Sequence, residues 1–101
     1  MATVRVPAPL RRLTSEQRLV KATGKTLSEV VRDLERQFPG FAARVLDNDG
    51  KVLSFVNIFV DNEDVRFLQG LQTPVREDAE VAIIPAMAGG TLSLREKGIR
   101  G

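Results

Sequence analysis

The 101-residue sequence predicts an α+β domain: a mixed sheet of four to five strands with one main helix packed on one face. Three observations carry that expectation. Apolar residues fall at helical spacing most clearly over 27–38, short alternating or β-branched runs stand on both sides of that stretch, and the last of these runs ends at a proline.

Residues Thr3-Val4-Arg5-Val6 alternate polar and apolar, the period of a half-buried strand, and Pro7 and Pro9 prevent its extension. A second short run, residues 18–22, can pair with it as a hairpin across a long loop, 7–17. Thr26 followed by Glu29 fits a capping box, and Leu27, Val30, Val31, Leu34 and Phe38 then share one helical face. The helix is expected over 27–38 and stops at Phe38-Pro39-Gly40, because proline lacks the next donor and disfavours helical geometry before it. A short helical turn is expected in 41–46, closed by the turn Asp47-Asn48-Asp49-Gly50. The run 55–60 is too short and too β-branched to prefer helix, so it is expected as a strand, with 61–64 as a turn before a minor strand at 65–67. Residues 80–85 make the last strand.

The order is β-β-α-β-(β)-β. With the first and last strands side by side in parallel and the helix across one face, the helix stripe and the inward strand residues form one core, which is the β-grasp or ubiquitin-like arrangement. The expected organisation is a β-grasp domain over 1–86, a flexible Gly-Gly tail over 87–90 and a C-terminal extension over 91–101.

Composition narrows the chemistry. Apolar residues make up 43% of the chain, charged residues 28% and aromatics 5%, ordinary values for a globular domain. Cysteine and histidine are both absent, which removes disulfides, thiolate nucleophiles, imidazole bases and the usual zinc ligands together. No run approaches a membrane span and the amino terminus does not look like a secretion signal, so a cytoplasmic location is expected. Residues 1–90 hold twelve basic and twelve acidic side chains, so the net +2 comes from Arg95, Lys97 and Arg100 against Glu96.

The segment 81–90, Val-Ala-Ile-Ile-Pro-Ala-Met-Ala-Gly-Gly, resembles the terminus of the MoaD/ThiS sulfur-carrier family, in which a final strand leads through a proline to a Gly-Gly end. The segment 55–67 resembles more narrowly the CysO-type carriers of cysteine biosynthesis. The resemblance implies that Gly89 and Gly90 are the reactive terminus. The Gly90 carboxylate would be adenylated with ATP by a ubiquitin-activating-like adenylyltransferase and converted to a thiocarboxylate that donates sulfur. It also implies a JAMM-type zinc metalloprotease and a pyridoxal-phosphate-dependent cysteine synthase as partners, or alternatively the large subunit of a molybdopterin synthase. Such a chain is no enzyme and binds no cofactor; ATP is used by the activating enzyme, and zinc and pyridoxal phosphate belong to partners. Family members usually end at the second glycine, whereas here residues 91–101 follow, so the resemblance requires cleavage between Gly90 and Thr91. A ubiquitin-like modifier conjugated through Gly90 needs the same cut, and a binding module that keeps its tail does not.

A Gly-Gly pair is by itself more often a hinge than a reactive end. What glycine adds here is steric: an end without Cβ atoms can thread a narrow channel in a partner. Alternation sets Phe59 opposite Val56, Ile58 and Val60, and Ile84 opposite Val81 and Ile83, so Phe59 and Ile84 are candidate docking residues, together with Pro85, Met87 and Ala88 beside the tail. Asp47-Asn48-Asp49-Gly50 lacks the glycine and glutamate positions of a calcium loop and is expected as a solvated turn; no metal site is assigned. Arg5, Arg11, Arg12, Arg18, Lys21 and Lys25 make the amino-terminal region basic, but without Trp or Tyr for stacking, nucleic-acid binding is not expected. Leu92, Leu94 and Ile99 alternate with polar residues, compatible with either a disordered leader or an added strand.

Overall fold

A computed structural model describes residues 1–85. The five strands are β1 (Ala2–Arg5), β2 (Leu19–Ala22), β3 (Val56–Val60), β4 (Glu63–Asp64) and β5 (Glu80–Pro85), and the helix α1 spans Leu27–Gln37. Their order across the sheet is β2-β1-β5-β3-β4. β1 and β5 are parallel, with Val4 beside Val81, and every other pairing is antiparallel. This is the expected β-grasp, with the last strand at its centre.

Period-2 alternation in the strands and the helix stripe meet in one core. Val4, Val20, Ile58, Val81 and Ile83 from the sheet are buried with Leu27, Val30, Val31 and Leu34 from α1, and Phe41, Val45 and Val65 close the ends. Each such side chain contributes about 1.5–3 kcal/mol by leaving water. The Thr26 hydroxyl accepts from Glu29 N at 3.3 Å, while the Glu29 carboxylate reaches back one residue further than a standard capping box, to Lys25 N at 2.8 Å. After α1, Glu35 accepts from Gly40 N at 3.0 Å and Ala42 N at 2.8 Å, folding residues 40–42 back along the helix.

The long β1–β2 connection is not a slack loop. Ala8–Thr14 winds into a 3-10 helix, and the buried Thr14 hydroxyl meets the Gln17 carbonyl at 2.9 Å. Residues 41–46 contain the 3-10 helix Ala42–Arg44, the short helical turn expected there, and 47–50 turn around the Asp47 carboxylate, which accepts from Asp49 N and Lys51 N.

One element differs from expectation. The turn after β3 is only two residues long, because Asp61 and Asn62 both take left-handed geometry (φ 51° and 71°), the geometry of a tight hairpin. The chain therefore resumes pairing at Glu63, and 65–67 is a 3-10 helix rather than a strand. Asp64 causes the change: its carboxylate caps Arg66 N at 2.9 Å and stops the strand.

Candidate functional site

β5 positions the candidate site. Backbone bonds to β1 and β3 flank it on both sides, and Asp61 fixes its start, donating N–H to the Glu80 carbonyl at 2.8 Å and accepting Glu80 N–H at 3.0 Å through its carboxylate. Its end is Pro85, opposite Val56. Proline has no N–H to offer a neighbour, which weakens the ladder at this position.

The sheet face away from α1 carries the side chains that alternate outward. Arg5, Phe59, Asn62, Glu80, Ala82 and Ile84 line a shallow depression there. Ala82 is registered with Phe59, and Ile84 with Asn57. Ile84 is 50% exposed and Phe59 partly buried. The Arg5 guanidinium pairs with Glu80 across β1 and β5; both are well exposed, so the pair orients the rim more than it stabilises the fold. Lys21 Nζ donates to Thr3 Oγ1 at 2.8 Å on the same face. The apolar centre is thus framed by charge.

Of the residues singled out from sequence, Phe59 and Ile84 lie together on this outer face, while Pro85 ends β5 and lines an apolar cleft on the opposite side of the sheet. Met87, Ala88, Gly89, Gly90 and Thr91 lie outside the described residues. Among the described residues no group of three or more His, Cys, Asp or Glu is placed to hold a metal ion, and no helix is long and apolar enough to cross a membrane.

The sequence reading missed the surface made by 55–68. Val56, Ile58, Val60 and Val65 are core residues, but Phe67 is 86% exposed, with Phe55 and Leu68 also exposed. Arg66 beside it donates to Asn57 Oδ1 at 2.8 Å and to the carbonyls of Val56, Ser54 and Leu53 at 2.8–3.2 Å. The signal that finds this surface is Asp64, a capping side chain two residues before Arg66.

Two carboxylates ionise below their ordinary range. Asp33, buried on α1, accepts from Thr23 N at 3.0 Å, the strongest influence on it; burial opposes the shift, and Arg36 and Gln37 add to it. Glu35 is held low first by Gly40 N and then by Ala42 N. Both serve architecture. Gln37 donates to the Lys21 carbonyl of β2 at 2.9 Å and Asp33 takes the N–H of Thr23, the residue that follows β2, so the two cover backbone groups at this end of the sheet edge.

Residues 4–90 match the model of the ThiS family. The chain belongs to that family. As a ThiS-family chain it is 46% identical over 90 residues to the sulfur carrier protein CysO of Mycobacterium tuberculosis, an alignment spanning 87% of this chain and 97% of the relative. The crystal structure of that relative superposes with a TM-score of 0.83 at 43% identity, covering 86% of this chain and all of the other. A chain of the Amycolatopsis orientalis BexX/CysO complex matches with a TM-score of 0.85 at 38% identity, over 89% of this chain and 100% of its own length. The ThiS-family chain is also 34% identical over 65 residues to small archaeal modifier protein 3 of Haloferax volcanii, covering 64% of this chain and 70% of the relative. The family match ends at residue 90, the second glycine of the pair, and leaves 91–101 outside it.

Proposed function

We propose that this chain is a sulfur carrier whose reacting group is the Gly90 carboxylate, freed by removal of 91–101. The observation that carries the reading is the 46% identity to a sulfur carrier protein over nearly the whole of that relative, within a family match that stops at Gly90. In the adenylation step the carboxylate oxygen attacks the α-phosphorus of ATP, forming an acyl-adenylate and releasing pyrophosphate. A sulfur nucleophile then displaces AMP, leaving a thiocarboxylate at the terminus.

The chain contributes position rather than catalysis. In this reading its body presents a docking face centred on Phe59 and Ile84, and the tail follows β5 directly in sequence. A total lack of Cys and His is compatible with this chemistry, because sulfur rides on the main-chain terminus. The partners in this reading are a ubiquitin-activating-like adenylyltransferase that uses ATP, a JAMM-type zinc metalloprotease, and a pyridoxal-phosphate-dependent cysteine synthase as sulfur acceptor, all acting in the cytoplasm. The test is intact mass spectrometry of the protein recovered from its host, then of the Gly90-ended chain incubated with activating enzyme, ATP and sulfide. Trimming to Gly90 and replacement of one terminal oxygen by sulfur are expected. Recovery of only the 101-residue form would sink the reading.

Similarity to an archaeal modifier protein favours a second reading, conjugation of Gly90 to lysines of other proteins. It predicts Gly90 isopeptides in tryptic digests of host extract, which a dedicated carrier would not give.

A further inference from the structure

An apolar cleft of about 270 Å³ opens on the side of the sheet away from Phe59 and Ile84. Leu10, Leu53, Ile83, Pro85 and the half-exposed Phe55 supply most of its wall, and Arg44 is its one charged side chain. That volume falls below the roughly 300–1,000 Å³ of small-molecule pockets and suits a single large side chain. The charge around it is one-sided. The segments that supply the wall, 7–14, 42–46, 52–60 and 81–85, contain Arg11, Arg12 and Arg44 and no Asp or Glu. At the start of β5, by contrast, charge is answered within the molecule, Arg5 pairing with Glu80 and Arg76 with Asp78. Arg44 is exposed and, among the described residues, forms no ion pair. We propose that this cleft docks a loop of a protein partner in which one apolar side chain, filling the cleft, is flanked by carboxylates that meet Arg44.

The two parts of such a loop do different work: the apolar group gains by leaving water, while the carboxylates steer the approach and fix the register. Both are needed. A phosphate or nucleic-acid ligand would satisfy Arg44 and leave the apolar wall wet. A second copy of this chain, meeting it in a two-fold interface, would set Arg44 against Arg44, like charge against like. This chain's own residues 91–101 carry three basic side chains against one acidic, the wrong sign for the same seat. The docking depends on no step of sulfur chemistry, so it stands or falls separately from the carrier reading.

NMR titration of the full 101-residue chain with the peptide acetyl-Asp-Glu-Phe-Asp-Glu-amide tests it. Saturable shifts are expected at Leu10, Leu53, Phe55 and Ile83, with Phe59 and Ala82 on the other face unmoved. Replacing the peptide's Phe by Gly should weaken binding about tenfold or more, since the buried apolar group is gone. A Lys-Lys-Phe-Lys-Lys peptide should bind less well than the acidic one, and Arg44→Glu, an exposed change, should weaken the acidic peptide about threefold or more and reverse that preference. No saturable shift at millimolar peptide, equal binding of the acidic and basic peptides, or shifts confined to the Phe59 face would each overturn the proposal. So would cleft resonances that move on dilution without peptide, the mark of a second copy, or nuclear Overhauser contacts from residues 86–101 to the Phe55 ring.

Discussion

The Arg66 guanidinium lies 2.8 Å from the Val56 carbonyl, holding the first residue of β3 where β4 is too short to reach it. Carbonyls of a strand edge that would otherwise face water or another chain are taken up by one side chain. We expect Arg66→Ala to lower stability by about 1–3 kcal/mol, since several charge-assisted hydrogen bonds go at once. Urea denaturation measures the loss. Sedimentation velocity should also show weak, concentration-dependent association absent from the parent, because the uncovered edge can template pairing.

Asp33 does the corresponding work at the opposite edge of the sheet, through Thr23 N. Its folded pKa is depressed, so its contribution is complete above the unfolded value near 4 and is lost as pH falls through the lower folded value. The parent should therefore lose stability below about pH 4 more steeply than Asp33→Asn, which lacks this titration. At pH 7 the Asn variant should be less stable by about 1–3 kcal/mol, read from urea midpoints across the pH series.

Gly24 joins β2 to α1 so closely that a Cβ there would stand 2.7 Å from Val30 N and 2.8 Å from Glu29 Cβ. Backbone in a helix cannot step aside. Gly24→Ala should cost about 1–3 kcal/mol through overpacking, and a thermal melt should show a lower midpoint. Gly50→Ala, where a Cβ would meet open space, is the control, sensitive only to its φ of 79°.

The outer sheet face makes a functional prediction. Ile84 is half-exposed at its centre, so Ile84→Glu should leave folding within about 0.5 kcal/mol of the parent, as exposed substitutions usually do. If the face docks the activating enzyme, pyrophosphate exchange on the Gly90-ended chain should fall at least about tenfold, the scale of a central apolar contact. An unchanged exchange rate would remove this face from the docking surface.

The sequence carries the α1 stripe, the alternation of β3 and β5 and the parallel closure of the sheet because each is a periodic pattern repeated over several residues. The minor strand was misplaced for the opposite reason. Its position depends on two consecutive left-handed residues, Asp61 and Asn62, and on one capping carboxylate, Asp64; no periodicity announces a two-residue turn. Phe67 was hidden by that slip: read as a strand residue it belongs to a core segment, whereas on a 3-10 turn it stands in solvent. Phe59 and Ile84 were legible as an outer-face pair from alternation alone. The cleft wall was not, since Leu10, Leu53 and Phe55 lie far apart in sequence from Ile83 and meet only through the fold.

The central placement of β5 has a mechanical consequence. A force applied at the tail runs along a strand bonded on both flanks, so it shears two ladders together instead of unzipping one bond at a time. Parallel attachment to β1 also ties that load to the amino-terminal strand. A pull on the terminus would therefore be resisted by both ladders at once rather than by one.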